Sequence, residues 1–260
     1  MLIEIFDSNN WVRRVYEKDT SGLALRNLFT SAYHNPNPVI YVFDGKNGKE
    51  ARRKIYPGYK SKRLPGSDAF YVTLELFKLL VMCTNKTMIC IEGWEADDVI
   101  ATMIKGGGFQ GIPVQIWSND GDFLALCSDE VKMTDVSQKL AHIPAEHIRL
   151  YKALCGDITD SIPGLPTFGP KSFEAVMKKD LLGNWYTVLE KRDLGHFQAA
   201  DLHVTNSQYL WLEGEGLANI LSYWDIINFI HVPKELIDAH TQVGTPNMAA
   251  ANAILKTVFQ

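Results

Sequence analysis

With 260 residues, 46% of them hydrophobic, the chain can bury a substantial core as one large domain or as a domain with a smaller annex, which excludes a disordered protein. Glu4 and Asp7 lie within the first apolar stretch and no long uncharged apolar run follows, which excludes a signal peptide and a membrane helix; four widely spaced cysteines, Cys83, Cys90, Cys127 and Cys155, lack the C-x-x-C pairing of a zinc or disulfide framework. A cytoplasmic protein with reduced thiols is expected. The net charge of −4 taken alone favours small-molecule chemistry, but the sign is uneven: residues 46–63 hold eight basic side chains against one acid, Glu50.

In chain order, residues 2–6 form a short apolar run that reads as a buried strand and delivers Asp7 at its end. Val39–Phe43 is a second such run and ends at Asp44. The tract 57–67, with Pro57, Gly58, Pro65 and Gly66, breaks any continuous helix, after which Phe70, Leu74, Phe77 and Val81 recur at helical spacing. Residues 88–91 predict a third strand, followed by Glu95-Ala96-Asp97-Asp98 and a helix anchored by Val99, Ile100, Met103 and Ile104. Val114–Trp117 leads to Asp120 and Asp122, and residues 131–136 predict a further strand. Strands alternating with helices predict an α/β fold with a mostly parallel sheet. From about residue 140 the strand signal fades, and segments 151–155, 172–178, 184–189 and 218–229 predict a mainly helical remainder, so that 1–140 reads as the core and 141–260 as a helical region.

Four strand ends therefore deliver carboxylates to one rim, the carboxyl edge where open α/β sheets bind ligands. Any one of these acids is an ordinary turn or capping residue. Crowded together, they repel one another and raise their own pKa values unless cations neutralise them. Oxygen donors without Cys or His suit a hard ion such as Mg²⁺ or Mn²⁺, and such ions accompany phosphate chemistry. In the 95–98 segment a helix places Glu95 and Asp98 on one face and turns Asp97 elsewhere. A further acidic pair, Asp157 and Asp160, sits in Gly156-Asp157-Ile158-Thr159-Asp160-Ser161-Ile162-Pro163-Gly164. Pro166 and Gly169 then mark a turn before a helix starting near Pro170 and Lys171, whose first backbone N–H groups suit a phosphate.

Over residues 1–180 these motifs, in order, resemble the 5′ nucleases that include the 5′ nuclease domain of bacterial DNA polymerase I, bacteriophage 5′ exonucleases and flap endonucleases. The elements are Asp7 with Arg14 seven residues on; Phe43-Asp44 followed by Arg52 and Tyr59-Lys60-x-x-Arg63; Glu95-Ala96-Asp97-Asp98; Asp120-x-Asp122; and Gly156-Asp157-x-x-Asp160-x-Ile162-Pro163-Gly164 running on to Gly169-x-Lys171. The compact length looks more like a stand-alone phage or bacterial enzyme. The resemblance implies a PIN-like, Rossmann-like core with a helical arch or gateway over about 46–75 and a helix-three-turn-helix at about 150–180. It implies a first Mg²⁺ or Mn²⁺ site built by Asp44, Glu95, Asp97, Asp98, Asp120 and Asp122, supported by Asp7, and a second ion on Asp157 and Asp160. Lys60 and Arg52 would meet the scissile phosphate, and Arg14, Tyr59, Arg63 and Lys171 would hold DNA. The implied substrate is a DNA duplex with a 5′ flap or 5′ end, or an RNA–DNA hybrid, processed by a monomer in replication or repair.

Two departures stand out. Thr167-Phe168-Gly169-Pro170 replaces the Gly-hydrophobic-Gly turn on which the family often holds K⁺, and Gly121 stands where a basic residue commonly separates Asp120 from Asp122. A smaller PIN-type ribonuclease shares the acidic strand edge but lacks the Gly-Asp-x-x-Asp-x-Ile-Pro-Gly module. A phosphatase would place its Asp-x-Asp on the first strand. A non-catalytic junction-binding protein would not need every carboxylate retained.

Overall fold

Short runs rich in Val, Ile and aromatic residues favour the half-buried pleated surface of a sheet, and the stretches between them carry apolar stripes at helical spacing. The computed structural model, which describes residues 1–19, 21–134, 140 and 142–257, turns these into alternating strands and helices. The first elements are β1 (Ile3–Asp7), α1 (Ser8–Lys18), α2 (Ala24–His34), β2 (Val39–Phe43), α3 (Glu50–Ile55), α4 (Asp68–Val81), β3 (Thr87–Cys90), α5 (Ala96–Lys105), β4 (Val114–Trp117) and β5 (Val131–Met133). They are followed by α6 (Ile148–Cys155), α7 (Pro170–Lys178), α8 (Leu182–Lys191), α9 (Asn206–Trp211), α10 (Leu217–Ile227), α11 (Lys234–His240), β6 (Thr241–Val243) and α12 (Met248–Lys256). Of the strand expected over 131–136, Val131–Met133 is seen as β5 and Thr134 lies beyond its end; residues 135 and 136 lie outside the described residues.

The chain divides into two compact units, one comprising Met1–Lys49, Pro65–Ala141 and Phe229–Gln260, the other Glu50–Leu64 and His142–Asn228. The first holds a six-stranded sheet of order β5-β4-β1-β2-β3-β6. All pairings are parallel except that of β3 with β6. The antiparallel edge strand comes from the chain's far end, where the sequence pattern predicts only helix; three residues, all exposed, are too short to show alternation.

Side chains alternate across the sheet because successive Cβ atoms of a strand point to opposite faces. Ile3, Ile5 and Val42 join Ile89, Ile100 and Ile116 in one core, while Phe6, Tyr41 and Phe43 join Leu28, Phe70, Leu74 and Phe77 in the other. β1, central and buried along its whole length, therefore ends at Asp7 inside the protein. Two hydrogen bonds fasten the returning chain beneath α5: Ile230 N–H donates to Asp98 Oδ1 at 2.7 Å and Val232 N–H to Thr102 Oγ1 at 3.0 Å.

The loops after β2 and β3 run against each other. Gly45 N–H donates to the Trp94 carbonyl at 2.9 Å and Gly93 N–H to the Lys46 carbonyl at 2.7 Å. A Cβ at Gly45 would lie 1.7 Å from the Ile91 carbonyl oxygen, so no other residue fits without moving the backbone. In the second unit, Trp185 is fully buried and donates its indole N–H to the Leu202 carbonyl at 3.0 Å, and α10 packs on α6. We expect Gly45→Ala to lower stability by about 3 kcal/mol or more, the scale of overpacking against rigid backbone, as read by urea unfolding.

Candidate active site

Asp7 ends β1 and caps α1, accepting from Asn10 N–H at 3.5 Å and from the Ser118 hydroxyl at 2.8 Å. It is 5% exposed, and burial, helped by the nearby charges of Asp44 and Asp120, pushes its carboxyl from 3.8 up to about 7 against the opposing pull of the Ser118 and Asn10 hydrogen bonds. Three strand ends thus bring carboxylates within electrostatic reach of one another. Ser118, fully buried between β4 and Asp120, ties two of them together, because its oxygen also accepts from Asp120 N–H at 3.1 Å.

Asp44 follows β2 directly. Its amide donates to Asn9 Oδ1 at 3.2 Å, and its own Oδ1 accepts from Ala96 N–H, at the start of α5, at 2.9 Å. That bond stitches the β2 loop to the segment carrying Glu95, Asp97 and Asp98. Glu95 precedes α5 at its N-cap and is 2% exposed, Asp98 is 1% exposed, and Asp97 is half-buried, which agrees with a turn of helix that sets Glu95 and Asp98 on one side. Asp98 is also the acceptor for Ile230 N–H, so it anchors the fold as well as lying near the rim. After β4, Asp120 caps a 3-10 turn over Gly121–Leu126 by accepting from Asp122 N–H at 3.0 Å.

The other acidic pair lies in the second unit. Asp157 and Ile162 exchange backbone hydrogen bonds at 2.9 and 2.8 Å, folding the segment after α6 into a tight loop. Gly156 and Gly164 have positive φ there, and a Cβ on Gly164 would meet the Gly156 amide nitrogen at 2.5 Å. Asp157 accepts from Thr159 N–H at 2.8 Å and lies 2.8 Å from the Lys152 ammonium. Burial alone raises its carboxyl, but the Lys152 charge and hydrogen bond, with the two backbone donors, outweigh that and leave it below the usual range. Asp160 is 3.8 Å from the Lys60 ammonium and its carbonyl accepts from Lys60 N–H at 2.9 Å. Pro170 opens α7 after Gly169, and Lys171 beside it is exposed.

The expected phosphate ligands separate into two groups. Arg63 and Lys171 are exposed and Arg14 is half-buried on α1. Arg52, by contrast, is 4% exposed and donates to the carbonyls of Ile226 at 2.8 Å and Asn228 at 3.3 Å, so its guanidinium holds the end of α10. Tyr59 is 2% and Lys60 6% exposed, with the Lys60 ammonium 4.8 Å above the Tyr59 ring. The region 46–75, expected as an arch, consists of α3, a tract of turns and the start of α4.

Sequence reasoning passed over Ser118 and Lys152. Each had a local signal: a serine two residues before Asp120, and a lysine in the otherwise apolar stretch Leu150 to Leu154. Among the described residues, no three or more His, Cys, Asp or Glu side chains already stand as a set that could hold a metal ion. The donors at the rim are nonetheless all oxygen, and Asp7 is pushed up by burial and then by the charges of Asp44 and Asp120, so charge and donor chemistry both fit a hard divalent cation.

Solved structures superpose on this mostly parallel sheet and its flanking helices. The bacteriophage T5 D15 protein, co-crystallised with metal ions, matches with a TM-score of 0.63 at 21% identity over 100% of both chains. The catalytic core of Rad2 in complex with a DNA substrate matches with a TM-score of 0.56 at 15% identity, over 98% of this chain and 86% of that one. The family model described as 5′-3′ exonuclease, N-terminal resolvase-like domain matches residues 21–151, and the chain belongs to this family. A 5′-3′ exonuclease of Aquifex aeolicus is 32% identical over 177 residues, covering 62% of this chain and 61% of that protein, so the chain spans about three fifths of this relative's length.

Asp7 yields a pH prediction. A carboxyl whose folded pKa lies above its unfolded one binds more protons folded than unfolded, so stability falls as pH rises from 3.8 to about 7. In the metal-free protein, Asp7→Asn should therefore raise unfolding free energy at pH 8 by a few kcal/mol, on the order of 4, and leave it nearly unchanged at pH 3. Lys152→Met should do the reverse in the second unit. Leaving Asp157 without its cation costs about 3 kcal/mol above pH 5, and calorimetry across pH should show the deficit shrinking as the carboxyl protonates.

Proposed function

We propose that the protein hydrolyses DNA phosphodiesters as a structure-specific 5′ nuclease, a 5′-3′ exonuclease or 5′-flap endonuclease, acting as a monomer with two Mg²⁺ or Mn²⁺ ions. The observation that carries this reading is the convergence of Asp7, Asp44 and Asp120 at the ends of three strands, close enough that burial and mutual charge raise Asp7 to about 7. Carboxylates so placed bind a cation in exchange for protons, which relieves the repulsion. Family membership supports the same chemistry, and so do the metal ions and DNA named with its structural neighbours.

In this reading Asp44, Glu95, Asp97, Asp98, Asp120 and Asp122 hold the first ion with Asp7 behind them, and Asp157 and Asp160 hold the second. When bound, the ions supply Lewis acidity and a water acidified enough to attack phosphorus at neutral pH. The protein's own part is to orient. Ser118 fixes Asp7 and Asp120 with one hydroxyl, and the Ala96 amide fixes Asp44. Arg14, Arg63 and Lys171 bind backbone phosphates, which makes affinity fall steeply with salt. Lys60, buried against Asp160, acts by holding that carboxylate in place. The loop between α6 and α7 serves as the duplex-gripping helix-three-turn-helix.

The test is single-turnover cleavage of a 5′-flap DNA duplex labelled at either end, with Mg²⁺, Mn²⁺ or EDTA, alongside an RNA–DNA hybrid and single-stranded RNA. Metal-dependent release at the flap junction or stepwise from the 5′ end is the expected result. Asp120→Asn and Asp157→Asn should each slow it by about a hundredfold or more while duplex binding persists. Cleavage of the RNA alone would assign a PIN-type ribonuclease, and flap binding without cutting a junction-binding protein.

A further inference from the structure

The tract between α3 and α4 combines the helix breakers Pro57, Gly58, Pro65 and Gly66 with the cations Lys60, Lys62 and Arg63. Such a tract is ordinarily a mobile surface loop. Here it is folded. Tyr59 N–H donates to the Tyr56 carbonyl at 3.0 Å, Ser61 N–H to that of Gly58 at 3.1 Å and Arg63 N–H to that of Lys60 at 3.3 Å, so one turn follows another. Gly58 permits the first of them, because a Cβ there would lie 2.5 Å from the Tyr56 ring. Tyr59 is buried, and its carbonyl accepts from Arg53 Nε at 3.4 Å.

Further hydrogen bonds fix these turns to the loop that follows α6. Lys60 N–H donates to the Asp160 carbonyl at 2.9 Å, Lys62 N–H to Ser161 Oγ at 3.1 Å and the Tyr56 hydroxyl to the Ser161 carbonyl at 3.3 Å. Ser161, which receives the last two, is buried. Tyr56 is held in turn by Tyr223 of α10, whose ring stands edge-on to it at 5.2 Å. Ser161 has a φ of 60° and Lys60 one of 51°, the left-handed region in which an L side chain is strained. Such a conformation persists only where its surroundings impose it, and each of these strained residues is one that the docking bonds engage. Lys62 and Arg63, at the end of the docked tract, are exposed.

We propose that Ser161 is a positioning residue: it latches the tract 56–63 onto the loop 157–162 in the absence of DNA, and so presents Lys62 and Arg63 to substrate phosphates at a fixed place. The inference rests on the nuclease reading for its substrate, though not for the latch itself. Ordering a loop in advance removes that cost from binding, so the latch acts on affinity. It acts through the two exposed cations and touches no reacting atom.

The experiment is amide hydrogen exchange of the full chain, read at the Lys62 N–H without metal or DNA, paired with anisotropy titration of a 5′-flap DNA duplex in EDTA. In the wild-type chain the Lys62 amide should exchange about tenfold or more slowly than in an unfolded peptide, and Ser161→Ala should lose that protection, since one net hydrogen bond is worth about a factor of ten. Ser161→Asn, which keeps an acceptor oxygen and tolerates a positive φ, should restore it. Ser161→Ala should also weaken flap binding about fivefold, the scale of a side chain ordered in advance, and should cost nothing further in a Lys62→Ala/Arg63→Ala background. An unprotected Lys62 amide in the wild-type chain overturns the latch. Equal losses of binding with and without the Lys62 and Arg63 side chains, or no loss in Ser161→Ala, overturn the presentation of those cations. If Ser161→Ala does not fold, Tyr56→Phe, which removes the other arm of the latch, is read in the same way. Flap cleavage with Mg²⁺ on the wild-type preparation separates the two readings: cutting by a chain whose Lys62 amide exchanges freely overturns the latch alone, while a protected chain that neither binds nor cuts the flap overturns the nuclease reading and the presentation with it.

Discussion

Burial of Asp7 beside carboxylates that a parallel sheet brings to the same edge sets the electrostatics of the first unit. β1, β2 and β4 run in the same direction, so each ends at the same edge, and each is followed by an acid. β1 is buried along its length, so Asp7 cannot turn to water for relief. Its carboxyl rises to about 7 instead, through burial first and the charges of Asp44 and Asp120 after it.

That crowding requires backbone to approach backbone very closely. The loops after β2 and β3 exchange carbonyl contacts through Gly45, Lys46, Gly93 and Trp94, and a single methyl group at Gly45 would collide with Ile91. The closeness lets the Ala96 amide reach Asp44, which places two acidic segments side by side. Asp98 adds a long-range dependence. By accepting from Ile230 it joins the acidic helix to a part of the chain more than a hundred residues away, so folding of the far end and order at the rim are coupled.

The two units treat buried acids differently. In the second, Lys152 neutralises Asp157 and Lys60 faces Asp160, and Asp157 sits below the ordinary carboxylate range. In the first, Asp7 is buried beside Asp44 and Asp120 and sits above it. The second arrangement already contains its own cations, and any ion that bound there would compete with an ammonium group. Arg52 satisfies carbonyls at the end of α10, where a buried helix terminus would otherwise leave acceptors bare.

The sequence by itself determined the strand order along the chain, the parallel character of the sheet and the acid at each strand end, because these depend on local periodicity and on a residue immediately following an apolar run. The positions of β2 and β4 were legible to the residue for that reason. α1 and α2 were missed since their apolar faces are diluted by polar residues such as Asn9, Asn10 and Asn27, and β6 was missed since its partner, β3, is distant in sequence. Only the tertiary structure decided which charges are spent. Arg52 and Arg63 look alike in a basic run, yet one is buried on carbonyls and the other faces water. Ser118 acquires its place only when β4 lies beside β1. Burial and charge pairing are set by neighbours brought together across the whole chain, and no local pattern carries them.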